Sequence, residues 1–426
     1  MTHRFDGLPF RPADILLPAG CDMTKWSVVA CDQYTSQPEY WARVERFVGS
    51  APSTLHMILP ESYLDGPNVE TDIMDVTNTM SRYLREGVFQ ERPDALVYVE
   101  RTLSSGQVRR GLVGMVDLED YDYEAGSAAR IRATEGTVLS RIPPRVAVRK
   151  NAPVELSHVM MLTDDPEGTV IAPLAGARGH MEPLYDFDLM EGAGHVRGWL
   201  LGEGEQEQVA AALRALADPE AFRARYGGED LPVMLFAVGD GNHSLAAAKA
   251  CYERQKERLP RESWGALPAR YALVELVDLH DPSLVFEPIH WVLFGVDPEA
   301  LLRDLKEAYP GSYEGTGEGH VLRYVHAGGA GAITVPKPSA RLPVATLQTF
   351  LDRWLTIYRG RIDYIHGEEV AAALGTQPGD LAFLLPAMGK EELFPTVIHD
   401  GVLPRKTFSM GEAQDKRFYL EGRKIR

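Results

Sequence analysis

Residues 233–257 constrain the architecture of this chain more than any other stretch. They read VMLFAV, then GDGNHS, then LAAAKACYERQKE. An apolar run of strand length, a polar turn with two glycines and an alanine-rich segment specify strand, tight turn and helix in succession. That arrangement aims the free N–H groups of a helix start at an anion. Gly239 and Gly241 let the backbone take positive φ or approach a ligand closely. Asn242 and Ser244 are candidate helix caps, and Asp240 and His243 bring side chains able to move protons or hold a metal.

The charge balance narrows the function classes. Against 44 basic residues stand 61 acidic ones, a net charge of −17 over 426 residues. Such a surface repels nucleic acid and anionic membrane, so neither is an expected partner; a small anion in a locally basic pocket remains compatible. The three cysteines, Cys21, Cys31 and Cys251, form no CxxC pair and read as free thiols in a reducing compartment. No secretory h-region precedes the first motifs, and no apolar run reaches the roughly 18 residues of a membrane span. A cytoplasmic protein is expected.

Taken in order, WSVVA (26–30) and LHMIL (55–59) read as short buried strands, and residues 70–88 as an amphipathic helix. ALVYVER and VRRGLVGMVDLED flank Ser105-Gly106 as a β-hairpin. Residues 203–226 read as two helices broken at Asp218-Pro219, and YALVELVDL (271–279) as a buried strand. Residues 298–308 and 344–358 read as helices, with HVLRYVHA and GAITVP paired across Gly328-Gly329. The glycine-rich 310–319 stretch suggests a boundary, giving an expected lobe over 1–309 and a smaller α+β lobe over 310–426. Residues 130–150 reverse the local charge: Arg130, Arg132, Arg141, Arg145, Arg149 and Lys150 face one acid, Glu135. A solvated basic face paired with acidic neighbours and a phosphate-facing wall both fit that run.

Several chemistries fail on their residues. Gly389-Lys390 is followed by Glu391, so no Walker A loop is present. GDGNHS has two of the three Rossmann glycines, with Ser244 at the third and an aspartate where a pyrophosphate would lie. Ser244 and His243 are neighbours that do not face one another on a helix, which makes a poor nucleophile–base pair. GxSxG and HExxH are absent, and the histidines show no zinc-ligand spacing. Phosphate binding survives. A tight turn with a cap and a surface histidine would explain Gly239, Asn242 and Ser244, but it does not call for Asp240 and His243 together. Asp240 suits a magnesium ligand or a proton acceptor. His243, with Gly239, Gly241, Asn242 and Ser244, would hold phosphoryl oxygens, and Arg132, Arg141 and Arg145 would add charge. Asp32, His56 and His158 lie in or beside strand-end segments as lesser candidates.

Several blocks resemble the family known as domain of unknown function 1015. GDGNHSLAAAKA is similar to its DGHHR block. STLHMILPE (53–61), Glu135 and Thr137, PLYDFD (183–188), His195 in GHVRGWL, RIDYIHG (361–367, opening on Arg361) and LAFLLPAMGKEEL follow in the family's order. The resemblance implies an α/β fold: a ParB/sulfiredoxin-like core with a mixed sheet and insertions. It further implies a small-molecule kinase like the free-serine kinases, using ATP, ADP or pyrophosphate as donor and Mg2+ as cofactor. Asp240 and His243 carry over as site residues, with Glu135 as a candidate distant base. Asn242 stands for the first histidine and Ser244 for the arginine, so either the 130–150 stretch replaces the lost phosphate-clamping cation or catalysis is reduced. A nucleotide- or phosphate-binding regulator without catalysis is the alternative, and a cysteine-based redox protein is discounted because the turn holds no cysteine.

Overall fold

The computed structural model describes residues 3–64, 66–228 and 230–426; Met1 and Thr2 of the opening segment lie outside them. The chain divides into two compact units, one comprising Met1–Leu284 with Glu412–Arg426, the other Val285–Gly411.

The first unit is built on a ten-stranded mixed sheet. Its order runs Glu182–Asp188, His195–Leu200, Val97–Thr102, Val108–Asp117, Tyr271–Asp278, Met160–Thr163, Phe236–Asp240, Ile131–Ala133, Tyr121–Asp122, with the tenth strand, Phe10–Arg11, pairing with Val108–Asp117 off this path. The expected hairpin is present, with Val97 opposite Val113 and Thr102 opposite Val108. Tyr271–Asp278 is buried at six consecutive positions, as an unbroken apolar run requires when both faces of a sheet are covered. One apolar cluster, with Phe10, Tyr98, Phe236 and Tyr252, packs one face; a second, with Trp41, Val97, Val113 and Tyr419, packs the other. Phe236–Asp240 runs parallel to Ile131–Ala133 and antiparallel to Met160–Thr163.

A four-stranded sheet lies in the same unit, ordered Phe89–Ala95, Ala13–Pro18, Gly422–Lys424, Val154–Leu156. The C-terminal segment is fastened by charge. Arg417 reaches the buried Glu275 and donates to Glu421 at 2.6 Å, while its Nε donates to Ser157 O at 3.0 Å. That last bond ties residue 417 to the neighbour of His158.

Two expected strands are corrected. Of the expected 26–30 strand, Trp26 closes the helical turn Met23–Trp26, where the Asp22 carboxylate accepts from the N–H groups of Thr24 and Lys25, and the rest makes only a single bridge, Val29 to Phe418. Thr54–Met57 is a 3₁₀ turn, with Ser53 Oγ accepting from Leu55 N–H. In both places a capping side chain outweighs apolar composition. The other readings hold: helices at Val69–Arg85, Glu203–Leu216, Pro219–Tyr226, Pro298–Ala308 and Pro343–Ile357. No described helix is long and apolar enough to cross a membrane.

The second unit carries a seven-stranded antiparallel sheet centred on Phe286–Phe294, Asp380–Leu384 and His320–His326. His320–His326 and Gly329–Val335 form the expected hairpin. The 310–319 stretch lies within this unit and contains the short strand Tyr313–Glu314.

Candidate functional site

The Phe236–Asp240 strand ends in a turn that only glycine fits. Gly241 has φ +82°, and a Cβ there would stand 3.0 Å from Val159 Cγ2 and 3.1 Å from Val159 Cα. Gly241 also occupies the N-cap position of the helix Asn242–Lys256, which starts with no side-chain cap. Gly241 has no side chain of its own to accept from the first helical amides, and the positive end of that helix faces the turn. The expected caps do other work. Asn242, the first helical residue, turns its amide toward Thr134 Oγ1 (3.3 Å) and Val238 O (3.4 Å). Ser244 Oγ lies 3.2 Å from His158 Nε2.

A polar cluster gathers around this helix start. Asp240 accepts from Gly241 N–H through Oδ1 at 2.9 Å, and its Oδ2 is 3.3 Å from Lys416 Nζ. Asp32 Oδ2 is 4.0 Å from His158 Nε2. Burial alone would raise the Asp32 carboxyl; the charge on His158, a hydrogen bond from Gln33 and the charge of Lys416 outweigh it and hold the group below the usual carboxylate range. Tyr419 Oη accepts from Cys31 N–H at 3.2 Å and lies 2.8 Å from His158 Nδ1. Burial, with Cys31 and Asp32 nearby, drives the Tyr419 phenol well above its ordinary pKa, so it keeps its proton. The protonated phenol, within hydrogen-bond reach of Nδ1, fixes the orientation of the imidazole so that Nε2 faces Ser244 and Asp32. The Cys31 thiol is pushed up to about 12 by burial and by the Asp32 charge, which leaves it a poor nucleophile at neutral pH.

The remaining sequence candidates are divided. Glu135 follows the Ile131–Ala133 strand, whose Ala133 lies opposite Val238, so it stands beside the turn at the end of a parallel neighbour. Val138 N–H, from the same loop, donates to His243 Nε2 at 3.3 Å. Of the cations, Arg145 joins Glu61 at 2.7 Å and is half-buried at the edge of a cavity described below. Arg132 points away: its guanidinium is spent on Ala129 O (2.8 Å) and Pro232 O (3.0 Å). Arg130 grips Asp120 and Arg149 grips Glu155, while Arg141 is exposed. His56 lines a separate cavity with Thr79 and Arg82. His195 is bracketed by Asp186 and Asp188, each at 2.6 Å, five strands from Phe236–Asp240 in the sheet, roughly 24 Å at the usual strand spacing. Arg361 belongs to the second unit and stacks 4.5 Å over Phe294. Lys416 and Tyr419 escaped the sequence reading, because they reach the turn from the far end of the chain with no local motif.

Beside the cluster lies a cavity of about 140 Å³. Met57, Leu59, Met80, Val148, Val154 and Leu156 give it an apolar body. His158, Ser244, Cys31 and Tyr419 supply polar atoms to its lining.

The donor set fits a protein-held magnesium ion poorly. One oxygen of Asp240 is taken by the Gly241 amide and the other by Lys416. Among the described residues no three His, Cys, Asp or Glu side chains converge to hold a metal. The cationic charge at the turn comes from Lys416.

No curated protein matches the chain. Solved structures to which it is similar include a conserved hypothetical protein from Pyrococcus furiosus, at 13% identity and TM-score 0.35, covering 73% of this chain and 94% of that one. Another is described as a free serine kinase in complex with AMP, at 13% identity and TM-score 0.37, covering 73% and 91%. A third is SbnI with a C-terminal truncation from Staphylococcus aureus, at 10% identity and TM-score 0.36, covering 70% and 82%. The model of the family described as Protein of unknown function (DUF1015) matches residues 11–354, and the chain belongs to that family.

Proposed function

We propose that the chain transfers a phosphoryl group from ATP, ADP or pyrophosphate to a small hydroxyl compound. The observation that carries this reading is the placement of Asp32, His158 and Ser244 against a helix start whose N-cap is Gly241. The donor's transferring phosphoryl group rests on the amides that follow Gly241, with Lys416 neutralising charge. Asp32, ionised at neutral pH, accepts the proton of the acceptor hydroxyl. The hydroxyl oxygen forms the new bond to phosphorus, and the bond to the donor's bridging oxygen breaks, that oxygen leaving with the electron pair. Asp32 thus takes the base role first considered for Glu135. Asp240 orients the turn through Gly241 and Lys416 rather than acting on substrate.

Incubation with each donor, free serine as the first acceptor and magnesium in the buffer, read by mass spectrometry, tests the reading. Phosphorylated acceptor that disappears in Asp32→Asn supports it. Nucleotide binding with no phosphorylated product from any hydroxyl acceptor overturns turnover and favours the regulatory alternative. That alternative draws on one feature, Ser244, which leaves the turn without an arginine clamp.

A further inference from the structure

We infer that the acceptor carries an apolar body of about six carbons, seated in the cavity beside Ser244 with its hydroxyl toward His158 and Asp32. This rests on the phosphoryl-transfer reading and narrows its substrate class.

The cavity's size and lining carry the inference. Its 140 Å³ is close to the roughly 150 Å³ at which an apolar hole in a protein takes up benzene. The charged side chains along it are matched to each other: Glu61 with Arg145 at 2.7 Å, Arg149 with Glu155. Glu155 is further held by Arg423 at 2.8 Å and by Leu273 N–H at 2.9 Å. No ammonium or carboxylate of a small zwitterion finds an unspent partner among these pairs, and burying such a charge unpaired is costly. A bare amino acid such as serine would leave the apolar wall unfilled and its own charges unmet. An alcohol with an aliphatic or ring-shaped tail fills the wall and presents one hydroxyl to the polar atoms at Ser244 and His158. The cavity also adjoins the contact between the helices Ile142–Arg149 and Asn242–Lys256, so tail binding and the helix start share one wall.

Ligand-observed NMR on the full chain tests this with n-alcohols from propanol to hexanol, free serine, adenosine and pyrophosphate. Affinity should rise about fourfold per added methylene up to hexanol. Val148→Phe and Leu64→Trp, both at half-buried lining positions, should each weaken hexanol at least tenfold while pyrophosphate still binds. Serine binding as tightly as hexanol, or a flat alcohol series, overturns the inference. Displacement of hexanol by adenosine overturns it too, since the cavity would then belong to the donor's base. Hexanol binding while ATP, ADP and pyrophosphate, added in turn, all fail to bind supports the apolar occupant and overturns the phosphoryl-transfer reading alone.

Discussion

Tyr419 Oη lies 2.8 Å from His158 Nδ1, joining two residues 261 positions apart in the sequence. The phenol also accepts from Cys31 N–H, so it is itself held in place and in turn fixes the orientation of the imidazole ring. Tyr419→Phe keeps the ring and removes that bond. It should cost about 1 kcal/mol of stability and lower kcat by about one to two orders of magnitude. The readout that separates positioning from packing is the ¹⁵N shift pattern of the His158 ring, which should change when Nδ1 loses its phenol partner.

Asp32→Asn removes the proposed base without changing shape. kcat should fall by about 10² to 10⁴, with donor affinity within about threefold of the parent chain. Because the Asp32 carboxyl is held below the ordinary range, its acid limb in kcat/KM should lie on the acid side of that of an ordinary aspartate. A pH–rate profile and a KM measurement check both parts.

Gly241→Ala tests the turn itself. Positive φ and the approach of Val159 make any side chain strained there, at about 1–3 kcal/mol. A lowered melting temperature together with loss of pyrophosphate binding by calorimetry is expected. Unaltered binding would show that the anion sits elsewhere.

A pH-dependent stability term lies outside the site. Burial, with the charge of Asp165 adding to it, raises the Asp278 carboxyl to about 6. Its folded pKa exceeds its unfolded value of about 3.9, so the native state holds the proton more tightly and loses stability as pH rises from 4 through 6. Asp278→Asn keeps the acceptor used by His280 N–H and removes the charge. Discounted for partial exposure, the gain at pH 7 is about 1 kcal/mol, and it should vanish near pH 4. Thermal melts at the two pH values check the sign.

The strand, turn and helix around Gly241 were legible because each announces itself locally: an apolar run of strand length, paired glycines, an alanine-rich stretch. Tyr271–Asp278 was legible for the same reason. The 26–30 and 55–59 segments were misread because each begins in a turn set by a single capping side chain, Asp22 or Ser53, against apolar composition. The fate of Arg132 was hidden, since the carbonyls that absorb its guanidinium include that of Pro232, brought close only by the folded sheet. Lys416 and Tyr419 were hidden more deeply. Their relation to Asp240 and His158 exists only after the C-terminal segment threads back into the first unit.

Phosphoryl transfer by this chain requires an anion at the start of the Asn242–Lys256 helix. A crystal soaked in pyrophosphate measures that directly. The predicted result is phosphoryl oxygens about 3 Å from the amides following Gly241 and from Lys416 Nζ. Pyrophosphate bound elsewhere, with this helix start left to solvent, would contradict it.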